Sequence, residues 1–206
     1  MAKIVVQPDT PAHVLAAFGR LPRVSDILSA TGLAPDYSRI PRHVLTHAAE
    51  RGTALHATVN LYHTLGEDEF SNYDVHPEVA PGFGGYKNFL AESGFAFERS
   101  EFEVISERWH FCGHPDLLGR LNGGLMLIDL KYMDTVHLWP ATYQLTLYKL
   151  AFEEQEWENP PIQACYVLQL KHDGAYRLHM VPTGPAEQQV AQAAVIVHRA
   201  IEEGRR

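Results

Sequence analysis

The chain has 206 residues, 46% of them hydrophobic, and a net charge of −8: enough apolar content for one sizeable core, and no apolar run near membrane-spanning length. Two cysteines, Cys112 and Cys165, are too few for a disulfide framework, a four-thiolate zinc site or an all-cysteine iron–sulfur cluster. The N-terminus has neither a signal-peptide pattern nor an Arg-rich amphipathic one, so a cytoplasmic location with no membrane partner is expected. An acidic total argues against nucleic acid, but residues 1–60 hold six Arg/Lys against four Asp/Glu, and residues 61–110 three against ten. No linker or repeat divides the chain, which predicts a single domain over 1–206, helical over about 11–93 and sheet-centred over about 95–206.

In chain order, Ser25 suits the N-cap of a short helix through Leu28 to Ala30, ended by Thr31-Gly32. Pro41 opens a longer helix, in which Val44, Leu45, Ala48, Ala54, Leu55, Thr58, Val59 and Tyr62 recur at helical spacing as far as Gly66. Gly52 inside it predicts a break or the close approach of another backbone. Residues 67–85 read as a loop, followed by a short helix from Tyr86 to Glu92. Phe95 to Glu107 alternates as a strand, with Phe102 and Val104 on one face and Glu101, Glu103 and Ile105 on the other. Phe111 to Leu121 and Leu125 to Lys131 are β-prone runs. After a loop over 132–138, Pro140 starts a helix whose spacing sets Gln144 and Tyr148 one turn apart on one face. Ile162 to Leu170 and Ala175 to Val181 form a hairpin around Asp173-Gly174, and Pro185 to Glu203 a closing helix. The order of elements predicts an α/β fold, a mixed β-sheet flanked by helices.

Between the two central runs lies Asn122-Gly123, the strongest short-range hairpin signal, because a type I′ turn needs φ > 0 at both central residues. A two-residue loop there sets Asp116 directly opposite Asp129, with Lys131 two residues on and therefore on the same face. A Gly123-Gly124 loop would instead set Leu118 opposite Asp129. Carboxylates facing each other across a ladder destabilise it unless a cation neutralises them, so the hairpin points to a metal site of hard oxygen ligands suited to Mg²⁺ or Mn²⁺.

The ordered set RGTALH with His56, the strand with Glu101 and Glu103, GHPD with Asp116, IDLK with Asp129 and Lys131, and QLTLY with Gln144 and Tyr148 resembles the RecB-like, phage-type exonuclease branch of the PD-(D/E)xK nuclease superfamily. The likeness covers most of the chain. It implies a restriction-endonuclease-like core and a Mg²⁺- or Mn²⁺-dependent deoxyribonuclease, an exonuclease of DNA recombination, repair or phage DNA processing. Its partner would be DNA, single-stranded or as duplex ends, joined by a recombination or single-strand-binding protein. The alternatives are a structure-selective endonuclease and a non-cleaving nucleic-acid-binding protein of the same fold, the complete Asp/Asp/Lys set arguing against the latter. The resemblance also implies Asp116, Asp129 and the Leu130 carbonyl as metal ligands, His56 as an extra ligand, and Gln144 and Tyr148 as orienting residues. Glu103, closer to the strand centre than Glu101, is the choice for a further carboxylate. Lys131 would sit by the attacking water, to orient it, stabilise developing charge or take its proton. With two cysteines the chain departs from the iron–sulfur members of that superfamily, so no cluster is expected. Arg42 and Arg51, in the basic region beside His56, are candidate phosphate contacts, and Tyr132 and Trp139 candidate stacking platforms for exposed bases.

Overall fold

The computed structural model describes residues 20–156 and 160–205; residues 11–19 of the expected helical part lie outside them. The elements run α1 Val24–Ala30, α2 Arg42–Leu65, α3 Glu67–Phe70, α4 Ala80–Ser93, β1 Ala96–Ser100, β2 Val104–Ser106, β3 Phe111–Gly113, β4 Leu117–Leu121, β5 Gly124–Tyr132, α5 Leu138–Gln155, β6 Ala164–Leu170, β7 Tyr176–Val181 and α6 Pro185–Gly204. Five strands form one sheet in the order β1-β4-β5-β6-β7, and β2 and β3 pair separately. The β5–β6 pair is parallel, which requires the crossover that α5 supplies, and the other pairs are antiparallel. The expected fold class, α/β with a mixed central sheet between helices, is the one observed.

Side-chain alternation along β5 divides the interior in two. Leu125 and Leu127 pack with α1, α5 and α6 through Ile27, Leu145, Phe152 and Val195, whereas Ile128, Leu130 and Tyr132 pack with α2 and α4 through Leu55, Val59, Tyr86 and Phe89. Asp129 and Lys131 therefore share the α5 face. The β4–β5 turn takes φ 51° at Asn122 and 82° at Gly123, and Leu117 faces Ile128 with Leu121 facing Gly124. This is the register of an Asn122-Gly123 turn.

Several elements differ from expectation. Phe95–Glu107 is two strands: Glu101 takes φ 48°, and the chain leaves the main sheet there. β2 then joins β3 and is tied to the end of α5, where the Ile105 amide donates to Gln155 Oε1 at 2.8 Å and Ser106 Oγ to Glu154 Oε2 at 2.6 Å. The run Phe111–Leu121 is likewise divided, at His114–Asp116, where Pro115 has no N–H for a ladder. Helix α2 runs straight through Gly52, and a Cβ there would meet nothing within 4 Å. Its stripe also has two environments: Leu55 and Val59 are buried, but Val44 and Ala48 are exposed. Residues expected as loop hold α3 and the first turns of α4, begun by Pro81 at a first-turn position where the missing N–H costs nothing. The first helix starts at Val24 with Arg23, not Ser25, at its N-cap. Among the described residues no helix is long and apolar enough to cross a membrane.

Candidate functional site

The β4–β5 ladder ends at Leu117–Ile128, and the groups just beyond it turn to side chains. The Leu130 amide donates to Asp116 Oδ2 at 2.6 Å, and the Asp116 carbonyl accepts the Glu101 amide at 3.0 Å. One carboxylate oxygen of Asp116 is thus spent on orientation and the other remains for a partner. That partner is His56: Nδ1 lies 3.4 Å from Asp116 Oδ1 and 3.0 Å from Glu101 Oε1, while Nε2 lies 3.3 Å from the Leu130 carbonyl. His56 comes from α2, one residue after buried Leu55, so the packing of α2 on the sheet sets its height. Ligand atoms of His56, Glu101 and Asp116 all lie within 4.8 Å of one another.

Asp129 is 1% exposed, and Lys131 Nζ stands 2.9 Å from Oδ1 and 2.8 Å from Oδ2. Oδ1 accepts the hydrogen bond; Oδ2 is a buried oxygen with an ion-pair neighbour and no hydrogen bond. On α5, Gln144 Nε2 donates to the Tyr148 hydroxyl at 3.2 Å. Gly113 makes room for that ring, since a Cβ there would run into Tyr148.

Burial and proximity shift these groups together. Burial alone would lower the His56 pKa, but the Asp116 and Glu101 carboxylates outweigh it and raise it to about 9. Burial pushes the Asp116 carboxyl above its ordinary range, with His56 opposing and Asp129 assisting. Lys131 is held above its ordinary value because Asp129 and Asp116 overcome the desolvation of its ammonium. Burial, and then the charge of Asp116, raises the Tyr148 phenol. The metal-free cluster is a proton-sharing network whose protons a cation could replace.

Of the residues singled out in the sequence, His56, Asp116 and the Leu130 carbonyl meet at one point, with Asp129 and Lys131 on the same hairpin and the Gln144–Tyr148 pair on the helix above. Glu101, and not Glu103, supplies the further carboxylate of the cluster. The left-handed backbone of Glu101, which costs a non-glycine residue roughly 1–2 kcal/mol, breaks the alternation that made Glu103 central, and Glu103 instead acts on Cys112 and His114. No turn signature announces that break. Arg42 is exposed, and Arg51 is half-buried with Nε unpaired among the described residues. Tyr132 is 8% exposed; its hydroxyl donates to the Glu78 carbonyl at 2.8 Å and its ring packs on Gly82, which leaves little face for a base. Trp139 is 54% exposed and meets Tyr143 edge-on. His63 stacks on Phe97 at 3.5 Å and accepts the Tyr86 hydroxyl as a neutral ring, its pKa lowered to about 4 by burial.

Two clefts open onto the centre. One, of about 710 Å³, runs along α2 past His56 and Glu101; the other, of about 440 Å³, runs between α1 and α5 past Gln144. Tyr37, Lys131 and Met133 line both. The sequence carried no signal for Tyr37 or Met133, which reach the site through loops.

No protein-family profile matches the chain, and no curated protein matches its sequence. Solved structures do resemble it. A protein of Eubacterium rectale named as a candidate exonuclease superposes with a TM-score of 0.51 at 10% identity, over 86% of this chain and 72% of that one. LHK-Exo, solved in complex with dAMP, superposes with a TM-score of 0.43 at 17% identity, over 90% of this chain and 89% of that one. The first establishes a shared fold, consistent with a restriction-endonuclease-like core, and at that identity nothing more.

Proposed function

We propose that this chain is a Mg²⁺- or Mn²⁺-dependent deoxyribonuclease that hydrolyses phosphodiester bonds, acting as an exonuclease on single strands or duplex ends. The observation that carries the reading is the convergence of His56, Glu101, Asp116 and the Leu130 carbonyl beside the Asp129–Lys131 pair. The donor set fits a divalent cation. Three carboxylates and a carbonyl are hard oxygen donors, the imidazole favours Mn²⁺ over Mg²⁺, and the second oxygen of Asp129 is buried with no hydrogen bond to satisfy it. His56, Glu101, Asp116, Asp129 and the Leu130 carbonyl would hold the ion, which supplies positive charge to the phosphoryl and leaving oxygens.

The remaining work falls to this chain's own residues. The Leu130 amide fixes the Asp116 carboxylate so that Oδ1 faces His56. Lys131, kept protonated by Asp129 and Asp116, orients a water and stabilises developing negative charge; its raised pKa disfavours a role as the proton acceptor in the metal-free protein. Gln144 and Tyr148 present an amide and a buried hydroxyl toward the scissile strand. Arg51, in the cleft along α2, and the exposed Arg42 and Trp139 are the candidate contacts to phosphates and bases, and packed Tyr132 is a wall of that cleft.

End-labelled and circular DNA, single- and double-stranded, incubated with Mg²⁺, Mn²⁺ or EDTA, tests this. Metal-dependent release of nucleotides from linear ends, with circles intact, is expected. Nicking of circles would make the enzyme an endonuclease, and no product with either metal would overturn hydrolysis.

A further inference from the structure

Among the described residues, the buried polar side-chain atoms without a hydrogen-bond partner include Arg51 Nε and His172 Nε2. Both residues line the 710 Å³ cleft that opens onto His56 and Lys131. A buried nitrogen without a partner is uncommon, and a cleft lined by two residues that carry one, the first of them a guanidinium, suits an anion. His172 is held for such a role. Asp134 grips it twice, accepting its backbone amide on Oδ1 at 3.2 Å and Nδ1 on Oδ2 at 2.9 Å, which leaves Nε2 as the unused ring nitrogen, a donor toward an anion when the ring carries both protons. The loop that carries Asp134 is itself pinned: buried Gln169 donates from Nε2 to the Met133 carbonyl at 3.1 Å and the Asp134 carbonyl at 2.9 Å, and its Oε1 accepts from His179 at 3.0 Å.

The rest of the cleft has a different character. Tyr37, Ile40 and Val44 are 41%, 40% and 46% exposed, and together with Leu45 they give the cleft an apolar wall. A ligand matched to it is anionic at one end and flat and apolar at the other. An unpaired nucleotide has that form, because a base freed from its pair offers a face to an apolar or aromatic surface, whereas duplex bases offer only their edges. The cleft volume lies in the range that encloses small ligands, roughly 300–1,000 Å³.

We propose that this cleft is a subsite for one unpaired nucleotide of the substrate strand, its phosphate taken by Arg51 and the Asp134-oriented His172 and its base laid against Tyr37, Ile40 and Val44. The assignment rests on the nuclease reading and narrows it to a strand that enters unpaired.

The test is binding of the full chain in EDTA, where nothing is cut, to an oligothymidylate and to a blunt hairpin duplex. The same single strand is also prepared with one neutral methylphosphonate linkage moved along it. Arg51→Gln and His172→Gln should each weaken single-strand binding about tenfold and duplex binding by far less. One linkage position should weaken wild-type binding by a similar factor and be silent in both variants. Asp134→Ala, at a 66% exposed side chain, should reproduce part of the His172 effect without a risk to folding. Equal loss on single strand and duplex, or no position that becomes silent, would overturn the subsite. The two readings separate: this pattern in a protein that cuts nothing with Mg²⁺ or Mn²⁺ keeps the subsite and removes the hydrolase, and normal cutting without the pattern removes the subsite alone.

Discussion

His56 has two jobs in this site that a single substitution separates. In the metal-free protein its imidazolium neutralises Asp116 and Glu101, and its pKa stands at about 9 against an ordinary 6.5. A raised pKa means stability that is fully present below about pH 6.5 and lost as pH rises through about 9. The shift corresponds to about 3 kcal/mol, so metal-free His56→Ala should melt roughly 10 °C below wild type at pH 6, with the gap closing by pH 10. Ligation, in contrast, needs the neutral ring. With a pKa of about 9 only about 1% is neutral at pH 7 and about half at pH 9, so wild-type Mn²⁺ affinity should rise about fiftyfold between them from this group. His56→Ala should bind Mn²⁺ more weakly at pH 9, lose that part of the pH dependence, and discriminate less between Mn²⁺ and Mg²⁺. Calorimetric titration of both proteins at the two pH values, with thermal melts in EDTA, measures all of this. Identical metal constants with identical pH dependence would remove His56 from the site, and a stability gap equal at pH 6 and pH 10 would refute the ion-pair account.

Asp116→Ala, Asp129→Ala and Lys131→Ala should each abolish most cleavage with the circular dichroism spectrum retained; near-wild-type turnover in Asp129→Ala would sink its catalytic role. Because the Asp116 carboxyl is raised by burial, its ionisation costs stability as pH climbs, so Asp116→Asn should raise the metal-free melting temperature at pH 9.5, where His56 no longer compensates; a fall there would contradict the burial argument. Gly52→Ala should stabilise by about 1 kcal/mol, or roughly 2–4 °C, because the helix is unbroken and the new methyl meets no atom. A lower melting point would mean that another chain segment does approach α2. Arg42→Gln should lower the salt slope of duplex binding by about 0.9 if the arginine pairs with a phosphate, and an unchanged slope would move the DNA path elsewhere.

What the sequence determined by itself was local. Asn122-Gly123 is a turn that few other dipeptides can make, and with the φ values it demands the pairing of Leu117 with Ile128 followed, as did the common face of Asp129 and Lys131. Helical spacing alone put Gln144 beside Tyr148 and carried α2 to Gly66. What only the tertiary structure decided was where separate pieces meet. The alternation of Phe95–Glu107 is continuous in the sequence, yet the chain breaks at Glu101 because β1 must pair with β4 while β2 turns to β3 and the end of α5. Those are long-range contacts with no local signature, and they exchanged Glu103 for Glu101 in the cluster. The stripe of α2 reads as one apolar face, but the core takes in only its C-terminal part, Leu55, Val59 and Tyr62, and Val44 and Ala48 line a cleft. His172 and Asp134 sit in two loops that are unremarkable in sequence and meet because β5 and β6 run parallel in register, with Tyr132 beside Leu170, which brings the residues after both strands to the same end of the sheet.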